Sequence, residues 1–162
     1  MKVEVKLSGM DGVLATLNAL PAEIVSKNGG PVKAALGKGA RFLRDREKEA
    51  LAAAIAKDGD QSTGLLMENV IASRGKPPAS GKGERYLVRI RRKTYEREAG
   101  KPVTTLKTAH LLEYGSSTQP ATPFIRPTVI AHGSQTIEVI TVTLNKRIQA
   151  VVRKLASQNK GR

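Results

Sequence analysis

The stretch Gln135–Leu155, QTIEVITVTLNKRIQAVVRKL, decides the fold class of this chain. Its apolar residues recur at intervals of three and four, which is the spacing of one helix face. The run Ile140–Thr143 taken alone would favour a strand, because its residues are β-branched. The longer period outweighs it and predicts a long C-terminal helix whose apolar face carries Ile137, Ile140, Leu144, Ile148, Val151 and Leu155.

A second long helix is predicted upstream of the first. Pro31 follows the break Asn28-Gly29-Gly30 and suits the first turn of a helix, where its missing N–H is not needed. From Pro31 the helical spacing of apolar residues continues to about Lys57. The middle of this helix, Arg41–Glu49, mixes both signs of charge, which indicates a solvent-facing side.

Shorter segments predict strands and turns around these helices. Tyr86–Lys93 is β-branched and alternating, so it is predicted to be a strand. Val103–Leu112 is predicted to pair back onto it as another strand, with residues 93–101 as the hairpin connection. The remaining expectations are a strand at Val3–Leu7, a helix from Asp11 to Leu20, a short amphipathic segment at Leu65–Ala72, and loops at 74–85 and 115–127.

Together these elements predict an α+β fold, a small antiparallel sheet packed with a long central helix and a long C-terminal helix. The length of 162 residues suits one domain, which we place at residues 1–156, followed by a polar tail at 157–162. No apolar run reaches the roughly 20 residues of a membrane span. The opening MKVEVKLSG lacks the apolar core of a signal peptide, so we expect a soluble chain made and assembled in the cytoplasm.

Residue types that carry catalysis or bind metals are scarce. The chain has no cysteine and two histidines, which excludes thiolate sites and a His-rich metal centre. His110 and Glu113 are three residues apart and on a helix would share a face, so together with His132, Asp58 and Asp60 they could hold a metal. A polar residue with a local salt-bridge partner explains the same pair. No nucleophile elbow or phosphate-binding glycine loop is present in the sequence, so we predict no catalytic residue, no metal, no cofactor and no enzymatic activity.

Positive charge is concentrated in one stretch of the chain. Residues 74–101 contain ten Lys and Arg against three Asp and Glu, which is half of the net charge of +14. Such a patch suits a polyanion or an acidic protein surface, although a solvated loop and strand edge would look the same. With two Phe, three Tyr and no Trp, the chain lacks platforms for base stacking. The candidate partner-binding residues are Lys82, Arg85, Arg89, Arg91, Arg92 and Lys93.

One pair of motifs is more specific. The stretches Ala109–Ser117, AHLLEYGSS, and Pro120–Thr128, PATPFIRPT, resemble the signature of the tail-completion, or head–tail joining, proteins of the tailed-bacteriophage neck. In that family a small–apolar–Glu–aromatic–Gly–Ser/Thr run precedes a Pro-Phe-apolar-Arg-Pro run that leads into the last helix. This chain differs at Asp58-Gly59-Asp60, where the family often has a proline, and in its long basic stretch 74–101.

The resemblance implies a structural virion protein of the neck. Such a chain forms a ring, typically a hexamer, that completes the tail and joins it to the capsid around the DNA channel. Its partners would be its own copies, the tail terminator or tail tube, the head-side connector and the passing genomic DNA, with no membrane. Nucleic-acid binding through 74–101 is the alternative. The residues that carry the resemblance are Glu113, Tyr114, Gly115, Pro123, Phe124, Ile125, Arg126 and Pro127.

These residues suggest physical roles. Gly115 would supply a backbone angle that a side chain resists, at the end of a strand or helical turn. Pro123 and Pro127 would stiffen the approach to the last helix, with Phe124 and Ile125 as its apolar anchor. Arg126 would pair with Glu113 within one subunit or across an interface.

Overall fold

The computed structural model of the chain describes residues 30–58, 64–76, 83–96 and 102–159. The predicted strand at Val3–Leu7, the predicted helix Asp11–Leu20 and the basic residue Lys82 lie outside these residues. In chain order the elements are α1 (Gly30–Asp58), α2 (Leu65–Glu68), β1 (Val70–Arg74), β2 (Tyr86–Ile90), β3 (Thr94–Tyr95), β4 (Val103–Thr104), α3 (Thr105–Tyr114) and α4 (Ile125–Asn159).

The α+β class and both long helices are confirmed. The chain divides into two compact units. The first contains the described residues of 1–39, 74–86 and 133–162, and the second those of 40–73 and 87–132. The strands form two separate antiparallel pairs, β1 with β2 and β3 with β4. In the second pair Thr94 faces Thr104 and Tyr95 faces Val103.

The first unit is built on the apolar faces of the two long helices. Ala35 of α1 is buried with Leu144 and Ile148 of α4. A Cβ atom on Gly39 would lie 2.7 Å from Cδ1 of Ile140, so the helices approach closely where α1 has no side chain. Leu144 and Ile148, two residues of the apolar face predicted for the C-terminal helix, are thus buried in this unit, and Ile140 packs against them.

The second unit has a buried core drawn from four elements and the loop before α4. Leu51 and Phe124 are fully buried at its centre. Each contributes an apolar side chain to a cluster that α2, β1 and α3 complete. The other members are Leu66, Val70, Ala109 and Leu112. Burial of side chains of this size contributes roughly 1.5–3 kcal/mol each, so this cluster holds the segments around Phe124 in place.

The prediction of a strand at Val103–Leu112 is wrong. Only Val103–Thr104 is a strand, and it pairs with β3 rather than with β2. Helix α3 begins at Thr105. Thr104 is extended, and its hydroxyl oxygen accepts a hydrogen bond from the Lys107 N–H at 3.3 Å, as a helix N-cap does. Thr105, Ala109 and Leu112 are buried at intervals of four and three, so a helical period underlies the β-branched start.

Other predicted boundaries also move. The segment predicted at Leu65–Ala72 splits into α2 and β1, because the Asn69 side chain donates to the Leu65 carbonyl oxygen at 2.8 Å and ends the helical turn. The strand predicted at Tyr86–Lys93 ends at Ile90, and β1 already includes Arg74, where a loop was expected. The last helix begins at Ile125 within the predicted loop.

Candidate functional site

The residues that carry the resemblance form one junction between α3 and α4, which we call the α3–α4 junction (residues 113–127). Helix α3 ends at Gly115, where φ is 75° and ψ is −173°, a conformation that favours glycine. The Gly115 N–H donates to the Leu111 carbonyl oxygen at 2.7 Å. A Cβ atom at this position would lie 2.9 Å from the Gln119 carbonyl oxygen. Both the positive φ and this close contact therefore disfavour a side chain at residue 115.

Glu113 connects the two helices. Its carboxylate accepts three backbone N–H bonds at 2.9 Å each, from Phe124 and Ile125 on Oε2 and from Arg126 on Oε1. These N–H groups belong to the start of α4 and have no partner within that helix. The carboxylate also lies at the positive end of the α4 dipole. Glu113 therefore performs from α3 the task of an N-cap residue of α4.

The predicted ion pair between Arg126 and Glu113 does not form within one subunit. Glu113 binds the main-chain N–H of Arg126, while the guanidinium carbon of Arg126 lies 6.0 Å from the ring centroid of Tyr114. A cation over an aromatic ring is a weak attraction that leaves the guanidinium N–H groups available. The positive charge of Arg126 is thus exposed on the surface.

The two prolines of the motif lie at different places. Pro123 is in the loop, and Pro127 lies within the first turn of α4, where proline is tolerated because that N–H has no helical partner. Phe124 between them is fully buried in the second unit's core, and its carbonyl oxygen accepts a bond from the Thr128 hydroxyl at 2.6 Å. Phe124 has the position of the expected anchor, with Ile125 half-buried beside it.

Glu47 is a functional candidate that the sequence did not reveal. It lies in the stretch of α1 predicted to face solvent, yet only 6% of its surface is exposed. Burial and, to a smaller extent, the negative charge of Glu113 raise the pKa of the Glu47 carboxyl from 4.5 to about 7. Its signal in the sequence is its place between Leu43 and Leu51 in one row of α1 at intervals of four.

The outer side of the junction is an open groove of about 610 Å³. Tyr114 and Ile130 line it and are 61% and 70% exposed, high values for side chains of this kind. Arg126 supplies a charge at the groove, and its other lining residues are Glu113, Ala121, Pro123 and Pro127. An aromatic and an aliphatic side chain exposed beside a cation are typical of a surface that contacts protein.

The possible metal site at His110 and Glu113 does not form. The Glu113 carboxylate is directed at the start of α4, while the exposed His110 ring lies 4.7 Å from the Tyr114 ring. His132 contacts the ring of Phe42. In the parts of the chain that the structure describes, no three His, Asp or Glu side chains are placed as metal ligands. Within the same residues, no helix has an apolar stretch that could cross a bilayer.

The basic residues predicted to bind a partner are exposed wherever the structure describes them. Arg89, Arg91, Arg92 and Lys93, which we call the basic segment, follow one another at the end of β2 and just beyond it. Arg85, before β2, is also exposed. The Lys93 main chain exchanges hydrogen bonds of 2.9 and 3.0 Å with Thr105, and the Thr105 hydroxyl donates to the Arg91 carbonyl oxygen at 2.7 Å. The backbone of the basic segment is thus attached to the first turn of α3.

Two arginines in and near the basic segment, Arg74 and Arg89, form hydrogen bonds to neighbouring side chains. Arg74 forms a two-point contact with Glu84, at 2.6 and 2.8 Å, so it is neutralised. Arg89 donates from Nε to the hydroxyl of Ser73 at 3.0 Å, which orients the guanidinium without neutralising it. The basic segment therefore presents four positive charges over five residues, and no described carboxylate forms an ion pair with any of them.

Comparison of this chain with known protein families, with curated protein sequences and with solved structures finds no match.

Proposed function

We propose that this chain is a structural subunit of a bacteriophage neck, which completes the tail and joins it to the capsid as a ring around the DNA channel. The observation that carries the proposal is the binding of three α4 N–H groups by Glu113. This contact joins the two sequence motifs on which the resemblance depends, Glu113–Gly115 and Pro123–Pro127.

The geometry of the junction suits an assembly part. Subunits of a closed ring use heterologous contacts, in which one patch binds a different patch of the next copy. Such patches need a fixed backbone, since ordering a loop on binding costs free energy. Glu113, Gly115 and the buried Phe124 fix the loop in the subunit itself, while Tyr114 and Ile130 remain exposed for contact.

The basic segment supplies a second surface for this role. Its four exposed cations would bind an acidic face of a neighbouring neck protein, with the passing DNA as the less favoured partner. Replacing Arg89, Arg91 and Arg92 by glutamine is expected to impair joining and to leave the fold intact, because these side chains are exposed. Full infectivity of that triple variant would remove this part of the proposal.

The proposal is tested by the protein content of purified particles. Quantitative mass spectrometry of phage whose genome carries this reading frame should find the chain in every intact particle, at about six copies if the ring has the size that the resemblance implies. Tail preparations from a mutant blocked in head assembly should retain it. Absence of the chain from intact particles would contradict the proposal.

Nucleic-acid binding through residues 74–101 is the second candidate, favoured by the exposure of the basic segment. It predicts that the affinity for duplex DNA falls steeply with salt, with a slope near −0.9 per phosphate contacted. The same triple arginine variant should then lower both the affinity and that slope. Binding that is weak at physiological salt and insensitive to the triple substitution would exclude it.

A further inference from the structure

The groove at the α3–α4 junction exposes apolar and charged side chains that suit contact with another protein surface. Its apolar wall is formed by Tyr114 and Ile130, and its available charge is the guanidinium of Arg126. The one carboxylate in the groove, that of Glu113, is occupied by three backbone N–H groups. None of the described carboxylates pairs with Arg126. The groove therefore suits an apolar side chain that is accompanied by a negative charge.

Among the residues that the structure describes, few surfaces can supply that combination. Most of its described carboxylates are buried or form ion pairs with arginines. The exposed ones outside those pairs are Glu68, Glu96 and Glu138. Of these, only Glu138 has a large exposed apolar side chain one helical turn away, that of Val142, which is 61% exposed.

The spacing of the two surfaces also matches. Arg126 and Ile130 are four residues apart on α4 and share a face, and so do Glu138 and Val142. A helix that places Glu138 against Arg126 can therefore place Val142 against Ile130. Each copy has a net charge of +14, so two copies repel unless a carboxylate of one meets a cation of the other.

We propose that the groove binds a second copy of this chain, with Glu138 of the second copy on Arg126 and Val142 of the second copy against Ile130 and Tyr114. The contact is heterologous, because the groove and the Glu138–Val142 face are different patches of the same subunit. It therefore propagates from copy to copy, as the subunit contacts of the proposed ring require. This inference rests on the proposed neck ring and names the faces through which its subunits meet.

The absence of cysteine from the chain allows a direct test by disulfide formation. Ile130 and Val142 are twelve residues apart on α4, which corresponds to about 18 Å along a helix, whereas a disulfide needs Cα atoms within about 7 Å. Any disulfide in the I130C/V142C variant must therefore link two copies. Mild oxidation is expected to yield covalent dimers and a ladder of larger species that ends at the ring.

Three variants serve as controls for this ladder. The single variants I130C and V142C should remain monomeric on denaturing gels, because a heterologous contact never brings a residue against its own counterpart. The variant I130C/Q149C moves the second cysteine to another exposed position of α4 and should crosslink at least tenfold less. Equal ladders in the test and control variants would overturn the contact, as would ladders from either single variant.

Charge exchange tests the ionic half of the contact independently. In the I130C/V142C background, Arg126→Glu and Glu138→Arg should each lower the crosslinked yield about tenfold, because each places like charges together. The double exchange R126E/E138R should restore the yield, while circular dichroism reports that every variant is folded. Failure of the double exchange to restore the yield would overturn the pairing of Arg126 with Glu138.

Oxidation is performed on the purified chain and on particles assembled with the I130C/V142C variant, so that failure of the contact and failure of the neck role are separated. If intact particles contain the chain and neither sample yields a ladder, the contact is wrong and the neck role stands. If the purified chain yields the ladder and intact particles lack the chain, the contact stands and the neck role is wrong.

Discussion

Substitution of the buried Glu47 by glutamine is expected to stabilise the chain increasingly as pH rises. The pKa of this carboxyl is raised from 4.5 to about 7, so the folded chain holds its proton over a pH range in which the unfolded chain has lost it. Because the folded state binds the extra proton, the free energy of unfolding falls as pH increases from 4.5 to 7 and then levels off. Glutamine has nearly the same shape and cannot ionise.

The size of the effect follows from that pKa difference. Each unit corresponds to 1.36 kcal/mol, so ionising Glu47 in the folded chain costs about 3 kcal/mol in total. Roughly 1 kcal/mol of this cost is already present at pH 5, and nearly all of it at pH 8. The stability of Glu47→Gln relative to the natural chain should therefore rise by about 2 kcal/mol between these two values.

Urea unfolding followed by circular dichroism at pH 5 and pH 8 measures this change. Effects of the amide that do not involve ionisation are equal at both values and cancel in the comparison. Glu49→Gln is the matched control, since Glu49 is exposed on the same helix in an ion pair with Arg46 and should show a shift of a few tenths of a kcal/mol at most. A pH-independent effect of Glu47→Gln would refute the reasoning.

The α3–α4 junction gives two further predictions for urea unfolding. Glu113→Ala leaves three N–H groups at the start of α4 without an acceptor and should cost about 3–5 kcal/mol, whereas Glu138→Ala on the exposed face of α4 should change stability by less than about 0.5 kcal/mol. Equal effects of the two would contradict the capping role. Gly115→Ala forces a side chain into a positive φ and against the Gln119 carbonyl oxygen, and should cost about 2 kcal/mol. Gly30→Ala, whose Cβ would meet nothing within 4 Å, should not destabilise the chain, and a similar loss at both glycines would show that the clash at Gly115 is absent.

The long helices were predictable because their signal is repeated many times. Leu144 and Ile148 belong to the apolar residues of α4 that recur at intervals of three and four. A strand would distribute these residues over both of its faces, whereas a helix places all of them on one face. The β-branched residues Val103, Thr104 and Thr105 favour a strand, although α3 begins at Thr105. The start of the helix is marked by the capping hydrogen bond from the Lys107 N–H to the Thr104 hydroxyl. The strand and helix propensities of single residues do not indicate such a bond.

The interior of the site was less predictable for a different reason. The opposite charges of Glu113 and Arg126 favour an ion pair, but the Glu113 carboxylate binds the main-chain N–H of Arg126 instead. Every residue except proline has such an N–H group, so a sequence does not indicate which of them a carboxylate will bind. The proximity of Glu47 to Glu113 joins residues far apart in the chain through tertiary packing. Gly115 was identified correctly because a glycine between an aromatic residue and a Ser-Ser pair is the local signal of a special backbone angle.

The neck role is tested most directly by electron microscopy of lysates from a phage or prophage in which this reading frame is disrupted. The account predicts filled heads beside unjoined tails, and restoration of joined particles when the intact chain is supplied in trans. Normal joined particles in the disrupted lysate would contradict it.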